Sequence, residues 1–187
     1  MTEFLLIFLA VFQIVLVIVA FLLVLWMWSL TVTGAPFVPI PTAILPEIIK
    51  ALDLKDDDVF YDLGCGDGRV LIAVARERPM IKCVGVEKAI FPYWTARYNV
   101  WRSECKNIKI VRNNMFKEDL SKATKIFTYL FPKLMDRLFG KLNQEVKTGL
   151  VVVSCDFQFS KKEPEVVIDL HRPDHALGRM LRVYNFL

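Results

Sequence analysis

A glycine-rich turn between a predicted strand and a predicted helix constrains the fold of this chain most strongly. The segment Val59–Leu63 is apolar apart from Asp62, and glycines follow at the alternate positions 64, 66 and 68. Glycine is favoured where the backbone turns sharply or where a ligand lies against the main chain. The helix after the turn directs free N–H groups and the positive end of its dipole towards the turn. The passage therefore predicts a nucleotide-like ligand at the carboxyl edge of the first strand of an α/β sheet.

The residues after the turn narrow the class of ligand. The dinucleotide fingerprint G-x-G-x-x-G is absent, because Gly68 stands two positions after Gly66 and Arg69 follows it. In sheets of this kind an acidic residue at the end of the second strand binds the ribose hydroxyls. Glu87 occupies that place, nineteen residues after Gly68, at the end of a β-rich run. The alternatives are a NAD-type Rossmann domain and a chance glycine loop.

These residues resemble the first motif of the class I, seven-strand methyltransferases that bind S-adenosylmethionine (SAM). The resemblance implies SAM as the cofactor, Glu87 as the ribose ligand, and Asp62 as the residue that orients the turn and the methionine moiety. After the third strand, where the family often has an acidic residue, this chain has Asn113 and Asn114. The cofactor-binding residues that the resemblance implies are Asp62, Gly64, Cys65, Gly66, Asp67, Gly68, Glu87, Asn114 and Met115.

The resemblance extends along nearly the whole chain to a more specific group. The chain contains five elements in a fixed order: an apolar N-terminal segment, Pro36-Phe37-Val38-Pro39, the glycine turn, Gly85-x-Glu87 and Arg97-Tyr98-x-x-Trp101-Arg102. This order is similar to that of the membrane-anchored lysine methyltransferases whose eukaryotic members act on the ATP synthase c subunit and the adenine nucleotide translocase. The resemblance implies methyl transfer from SAM to a lysine side chain of a membrane protein. The shorter N-terminal leader favours a bacterial or archaeal homologue.

The N-terminal segment predicts a transmembrane anchor over residues 1–33. Between Phe4 and Leu30 the only polar side chains are Gln13 and Ser29, and a helix of this length would span about 40 Å, more than the ~30 Å of the hydrocarbon. Trp26 and Trp28 stand near its end, where aromatic rings favour the headgroup region. A cleaved signal peptide is the alternative, and it fits poorly because the segment lacks a basic start and is too long.

Composition indicates one small domain behind this anchor. Residues 34–41 form a Pro-rich connector, and residues 42–187 suffice for one hydrophobic core. Residues 36–187 carry 24 basic and 19 acidic side chains, a mild excess that suits a surface near anionic lipid headgroups. No basic run is interleaved with aromatic residues, so nucleic acid is not expected as a partner. We expect a single-pass protein of the cell membrane with its catalytic domain in the cytoplasm, or of the mitochondrial inner membrane if the protein is eukaryotic.

The pattern of apolar segments predicts a Rossmann-like α/β fold with a sheet of seven strands and helices on both faces. The predicted strands are 59–62, 81–87, 108–112, 125–129, 150–155, 165–170 and 179–186, and the predicted helices are 42–52, 69–78, 91–103 and 132–146. Only nine residues separate the fifth and sixth strands, too few for a crossover helix, so the last two strands suit the antiparallel hairpin that closes a seven-strand methyltransferase sheet. Three aromatic residues of the third helix, Trp94, Tyr98 and Trp101, are expected to pack on the sheet.

A substrate channel is predicted after the fourth strand, at the edge where open α/β sheets collect ligands. A lysine must lose its proton before methylation, and a desolvated, aromatic-lined channel favours this by lowering the pKa of the amine. The candidate channel residues are Tyr129, Leu130, Phe131 and Pro132, together with Phe37 in the connector. Ordinary core packing is the alternative for each of them. Asp156, just past the fifth strand, either orients the incoming ammonium or caps a turn.

No metal site or disulfide framework is predicted. His171 and His175 stand four apart, but Pro173 between them spoils the helix that would align them, and the four cysteines show no paired spacing. Cys65, Cys83 and Cys155 are expected to be small buried thiols. Two other functions remain open: methylation of a lipid amine, quinone or other membrane-embedded small molecule, and a non-catalytic role as a SAM-binding membrane factor. The sequence does not predict the oligomeric state.

Overall fold

The computed structural model describes residues 2–33, 38–146, 148–172 and 177–186 of the 187-residue chain. The chain forms two structural units, Met1–Pro36 and Phe37–Leu187. The first unit contains helix α1, which extends over Thr2–Thr33, and the second contains the other helices and strands.

Helix α1 is apolar along almost its whole length. Glu3–Leu25, a stretch of 23 residues with a mean hydropathy of 3.2, has no residue buried within the structure. By length and composition this stretch fits a membrane span, and its place near the N-terminus also fits a signal sequence. The predicted N-terminal apolar helix is confirmed, while the side chains of Trp26 and Trp28 lie outside the described residues.

The second unit alternates strands and helices and then ends in two strands. Its helices are α2 (Leu45–Leu52), α3 (Arg69–Glu77), α4 (Ile90–Ser103) and α5 (Pro132–Glu145), with a 3-10 turn at Thr42–Ile44 before α2. Its strands are β1 (Val59–Leu63), β2 (Lys82–Glu87), β3 (Ile108–Arg112), β4 (Lys125–Thr128), β5 (Leu150–Cys155), β6 (Val166–Asp169) and β7 (Met180–Phe186). Every strand lies within one residue of its predicted bounds.

The seven strands form one sheet in the order β3-β2-β1-β4-β5-β7-β6. Neighbouring strands from β3 to β5 are parallel, whereas β7 is antiparallel to both β5 and β6. The predicted seven-strand sheet and its closing hairpin are therefore confirmed. The chain order reverses between β1 and β4, and the crevice at the carboxyl ends of strands beside such a reversal is where open α/β sheets bind ligands.

Helices cover both faces of the central strands. Phe60 in β1 packs with α2 and α3, whereas the next residue, Tyr61, belongs to the apolar cluster of α5 on the other face. Successive side chains of a strand point to opposite faces, so a strand covered on both faces is apolar almost throughout. Asp62 is the polar exception in β1, and it lies at the ligand-binding edge of the sheet.

Helix α4 does not pack its aromatic residues on the sheet, and the prediction that it does so is wrong. Trp94, Tyr98 and Trp101 are exposed, and Ala96 is the fully buried residue of α4. Ala96 approaches Gly68 so closely that a Cβ at position 68 would lie 3.4 Å from the Ala96 Cβ. The helix therefore meets the glycine turn through small side chains, which directs its large aromatic side chains outward.

Gly85 in β2 leaves no room for a side chain. A Cβ at this position would lie 2.9 Å from both the Cys65 Sγ and the Ile110 Cδ1, and closer still to Leu71. Overpacking a closed core costs about 1–3 kcal/mol. We therefore expect Gly85→Ala to lower the thermal unfolding temperature of the full chain in detergent, by about 2–4 °C for each kcal/mol.

Gly140→Ala in α5 is the matched control for this substitution. Nothing lies within 4 Å of a Cβ at position 140, and alanine favours a helix over glycine. This variant should keep or raise the unfolding temperature. Equal unfolding temperatures for the two variants would show that Gly85 is not sterically required.

Candidate functional site

The glycine turn connects β1 to α3 at the carboxyl edge of the sheet. Gly64, Gly66 and Gly68 have φ values of 79°, 57° and 80°, in the left-handed region that glycine enters without steric cost. Two carboxyl groups flank the turn, those of Asp62 in β1 and of Glu87 at the end of β2. The fold thus brings together the predicted cofactor residues from positions 62 to 68 and at position 87.

The backbone of the turn is bound to the end of β2. The N–H groups of Gly64 and Cys65 both donate to the Val86 carbonyl, at 2.8 and 3.2 Å, and Gly68 N–H donates to the Cys65 carbonyl at 2.9 Å. The Cys65 thiol is buried beside Gly85, as expected for a small buried thiol. These amides are therefore used within the protein, and the turn offers a ligand its bare glycine backbone rather than a set of free donors.

Glu87 fixes further amides of this edge. Its Oε2 accepts the Gly66 N–H at 3.0 Å, and its Oε1 accepts the Ala89 N–H at 2.7 Å. Burial raises the pKa of Glu87, although hydrogen bonds from these backbone groups oppose that rise. The Lys88 N–H is a third backbone donor to this carboxylate. A carboxylate has about four acceptor positions, so the side chain can accept a further hydrogen bond from a ligand diol.

Asp62 places a buried carboxyl at the end of β1. Only 3% of its surface is exposed, and the charged groups that act on its carboxyl are those of Glu87 and Asp67. Burial raises the pKa of Asp62 well above its ordinary value, and the negative charges of Glu87 and Asp67 raise it further. Buried polar groups in proteins are normally paired, so this carboxyl matches a ligand that carries a cationic amine.

Asp67 is held by neighbouring side chains. Its carboxylate accepts hydrogen bonds from Arg69 Nε at 3.0 Å, and its carbonyl accepts one from Asn99 Nδ2 in α4 at 2.9 Å. Arg69 also donates from Nη1 to the Ile40 carbonyl at 2.7 Å. The sequence does not predict Asn99 or the Ile40 contact, because both depend on how α4 and the segment before α2 meet the turn.

Leu130 closes the turn from the β4 side. A Cβ at Gly64 would lie 3.3 Å from the Leu130 Cδ2, so the loop after β4 lies directly against the turn. The sequence predicts Leu130 as a channel residue, and the structure brings it to the first glycine. The cofactor edge and the predicted substrate edge are therefore continuous.

Asn114 and Met115 lie in the turn after β3. The Asn113 N–H donates to the Glu87 carbonyl at 3.1 Å, which brings this turn to the end of β2. The Asn114 Oδ1 accepts the Phe116 N–H at 3.1 Å, and Met115 packs at the rim of the apolar cluster around α5. The Asn114 side-chain oxygen thus stabilises its own turn.

Tyr129 lies in an aromatic cluster after β4. Its ring stacks on Phe157 with centroids 5.9 Å apart, and Phe131 contacts Phe157 at 5.4 Å. The Tyr129 hydroxyl is buried and has no hydrogen-bond partner in the described part of the chain. Burial, and then the nearby charge of Asp156, raise the pKa of Tyr129, so the phenol is neutral at physiological pH.

The remaining predicted channel residues differ in their placement. Pro132 is exposed and begins α5, so it sets the start of that helix beside the aromatic cluster. Phe37 lies outside the described residues. The sequence does not predict Phe157, because its place beside Tyr129 depends on the pairing of β4 with β5.

Asp156 caps the turn before the last strand. Its carboxylate accepts the backbone N–H groups of Gly178, Arg179 and Met180 at 2.6, 2.8 and 3.1 Å. Of the two roles that the sequence leaves open for Asp156, the structure supports the turn cap. No group of metal-ligating side chains occurs among the described residues, and His175 lies outside them.

Comparison with known proteins identifies the family. Residues 62–166 match the family described as the ANTKMT methyltransferase domain. A protein-lysine N-methyltransferase of Saccharolobus islandicus is 34% identical over 138 residues, which cover 73% of this chain and 86% of that protein. The Homo sapiens lysine N-methyltransferase of the ATP synthase c subunit is 29% identical over 133 residues, which cover 71% of this chain and 56% of that protein. The chain thus spans little more than half of the human relative.

A solved structure with the same fold contains a product of the cofactor. The RNA methyltransferase of Salinibacter ruber, in complex with S-adenosyl-L-homocysteine, superposes with a TM-score of 0.72 at 29% identity and covers 79% of this chain and 93% of its own. The family and the cofactor that the sequence resemblance implies are confirmed. The chain belongs to the ANTKMT methyltransferase domain family and is a SAM-dependent methyltransferase of the class I, seven-strand fold.

Proposed function

We propose that this protein transfers a methyl group from SAM to a lysine side chain of a membrane protein. The observation that carries the proposal is the pair of carboxyl groups, Asp62 and Glu87, on either side of a glycine turn at the carboxyl edge of the sheet. The similarity to lysine methyltransferases of Saccharolobus islandicus and Homo sapiens supports the choice of acceptor.

The residues at this edge fit SAM. Glu87 would bind the ribose diol, because its Oε2 is held at the turn by Gly66 and the carboxylate keeps acceptor capacity. Asp62 would pair with the amino group of the methionine moiety, which would hold the carboxyl ionised. The glycine turn would lie against the methionine part, and Asn114 and Met115 would contact the adenine. When bound, SAM supplies the electrophilic methyl group of a sulfonium.

The aromatic cluster after β4 would receive the acceptor lysine. Tyr129, Phe131 and Phe157 exclude water, and a desolvated amine has a lowered pKa, so it reaches the site in its neutral form. The Tyr129 hydroxyl keeps its proton, because its pKa is raised, and its oxygen can accept a hydrogen bond from the amine. The side chain would therefore orient the nitrogen lone pair rather than remove a proton. Pro132 would complete the channel.

We further propose that the N-terminal helix anchors the protein in a membrane. Its apolar stretch of 23 residues is long enough to cross the hydrocarbon. The methyltransferase domain would face the cytoplasm, or the mitochondrial matrix in a eukaryote, because SAM is a metabolite of those compartments. An anchored domain would act on lysines close to the bilayer surface.

Glu87→Gln should weaken SAM binding. The amide keeps the shape of the side chain but loses a charged acceptor, and hydrogen bonds to charged groups contribute about 1.5–3 kcal/mol. Isothermal titration of the full chain in detergent should give a Kd for SAM about 10-fold to 100-fold above that of the parent. Glu77→Gln, at the exposed end of α3, is the control and should leave Kd unchanged. An unchanged Kd in Glu87→Gln would remove Glu87 from the site.

Asp62→Asn should stabilise the ligand-free protein and weaken SAM binding. Because the pKa of Asp62 is raised in the folded state, its contribution to stability is complete below the ordinary carboxyl pKa and is lost as the pH rises through the folded value. The asparagine side chain does not ionise, so the variant does not lose this stability as the pH rises. Its unfolding temperature should exceed that of the parent at neutral pH, and the difference should shrink towards about pH 4. A variant that is less stable than the parent across this range and binds SAM normally would contradict the assignment.

The methyl acceptor can be identified on membranes. We expect the full chain, incubated with radiolabelled SAM and membranes of its source organism lacking the gene, to label a protein band whose peptides carry methylated lysine in mass spectrometry. Activity should persist after the membranes containing the enzyme are washed with alkaline carbonate, because an anchored protein resists extraction. Label confined to solvent-extracted lipid would indicate a lipid methyltransferase, and SAM binding without any label would indicate a non-catalytic factor.

The variant Tyr129→Phe tests whether the substrate edge acts separately from the cofactor edge in the same methyl-transfer assay on membranes. The variant retains the aromatic ring and the cofactor residues, so its Kd for SAM should match that of the parent. The rate of methyl transfer should fall about 10-fold, because one hydrogen bond that orients the amine is lost. An unchanged rate would assign Tyr129 to core packing.

A further inference from the structure

The outer face of α4 is an unusual surface for a small α/β domain. Phe91, Trp94, Tyr98 and Trp101 follow one another at intervals of three or four residues, so they share one side of the helix. Trp94 is 59% exposed and Trp101 is 75% exposed. A row of large aromatic side chains that is left uncovered in this way marks an interaction site.

Basic side chains surround this aromatic row. The segment from Lys88 to Arg112, which contains α4 and β3, has six basic residues and one acidic residue, Glu104. Its net charge of +5 equals that of residues 36–187 as a whole, which carry 24 basic and 19 acidic residues. The rest of the domain is therefore electrically balanced, and the whole excess lies on one part of the structure.

The fold brings the basic residues of α4 and one of the two basic residues of β3 to the same side of the sheet. Strand β3 is the edge strand next to β2, and α4 packs on it. The exposed basic residues on the α4 side are Arg97 and Arg102 of α4, Lys106 between the two elements, and Arg112 of β3. Lys109 lies between Ile108 and Ile110, which face α4, so its side chain points to the other face of the sheet. The Arg97 guanidinium also lies 5.6 Å from the Trp94 ring centroid, so charge and aromatic surface are directly mixed. We define the aromatic-basic surface as the exposed residues Phe91, Trp94, Arg97, Tyr98, Trp101, Arg102, Lys106 and Arg112.

We propose that the aromatic-basic surface docks on a bilayer that contains anionic lipid. Aromatic rings such as Trp and Tyr favour the level of the lipid headgroups, and Lys and Arg beside them are attracted to anionic headgroups. A helix with aromatic residues on one side and basic residues beside them lies in the plane of this interface. The proposal does not depend on the methyl-transfer chemistry, because α4 contacts the glycine turn through other residues, Ala96 and Asn99 among them.

Two alternative roles, protection of the sheet edge and binding of RNA, explain this surface less completely. Lysine on an edge strand prevents strands of two molecules from pairing, which explains Lys109 but not the exposed tryptophans. Single-stranded RNA also binds basic surfaces with aromatic residues. A lipid surface fits better, because the same chain carries a helix long enough to cross a membrane.

Tryptophan quenching tests the proposal on the full chain. The protein has four tryptophans, so the double substitution Trp26→Phe and Trp28→Phe leaves Trp94 and Trp101 as the reporters. This protein is reconstituted in nanodiscs of brominated phosphatidylcholine, with or without phosphatidylglycerol. We expect quenching to be about twofold or more stronger in the anionic discs and to weaken at high salt, as the attraction is screened. Equal quenching in the two kinds of disc would overturn the proposal.

Matched charge variants show whether the surface itself is responsible. Arg97→Gln, Arg102→Gln and Lys106→Gln together should abolish the extra quenching in anionic discs. The control variant carries Lys55→Gln, Lys122→Gln and Lys161→Gln, which remove the same charge from exposed positions elsewhere in the domain, and should keep it. If the two variants lost the extra quenching equally, the quenching would depend only on net charge, and this would contradict a specific surface. Relief of the quenching by a single-stranded RNA competitor would assign the surface to nucleic acid instead.

The result of the quenching experiment does not depend on whether the protein is a lysine methyltransferase. The quenching measurement needs neither SAM nor turnover, so a protein without lysine methyltransferase activity can still pass it. Conversely, a protein that methylates lysine in membranes but shows no lipid-dependent quenching would keep its proposed function and lose this surface.

Discussion

The attachment of the glycine turn to the end of β2 is the interaction on which the site depends. Gly64 and Cys65 share the Val86 carbonyl as an acceptor, and the Glu87 carboxylate accepts the Gly66 N–H. The ends of β1 and β2 and the start of α3 are therefore joined by backbone groups and by one side chain, that of Glu87, whose two oxygens both accept backbone N–H groups. Ligand-binding groups are most effective when they are held in place before the ligand arrives. Here the same hydrogen bonds that close the turn also orient the carboxylate.

The site concentrates negative charge that the rest of the domain does not neutralise. Arg69 pairs with Asp67, but Asp62 is buried with Glu87 and Asp67 as its charged neighbours. Such an arrangement disfavours the ionised form of Asp62 in the ligand-free protein. Local conflicts of this kind are expected at functional sites, where stability is lost in favour of binding. A cation that enters this edge removes the conflict, and this gives the fold an intrinsic preference for a positively charged ligand.

The local sequence pattern predicts the strands and helices well, but it does not predict contacts between segments that are distant in the chain. The bounds of β3 and β5 follow from the sequence alone, because short apolar runs are bounded by polar residues and turns. The residues around the glycine turn are predictable for the same reason, since strand, turn and terminal acid lie close together in the chain. The contact of Asn99 with Asp67 and the stacking of Phe157 on Tyr129 are not, because they require the packing of α4 and the pairing of β4 with β5. The prediction for the aromatic residues of α4 is wrong because a large aromatic residue on a helix is usually buried, and nothing local shows that Ala96 forms the contact.

Helix α4 has different roles on its two faces. Ala96 and Asn99 face the glycine turn, one by close approach to Gly68 and the other by its hydrogen bond to the Asp67 carbonyl. Trp94 and Trp101 face outward, and the helix begins three residues after Glu87. A helix held on one side by the cofactor turn has a fixed orientation, so its outer side chains have a fixed direction as well. Any partner that covers the outer face of α4 would therefore lie beside the carboxyl edge of β2, at a distance set by the rigid helix rather than by a flexible linker.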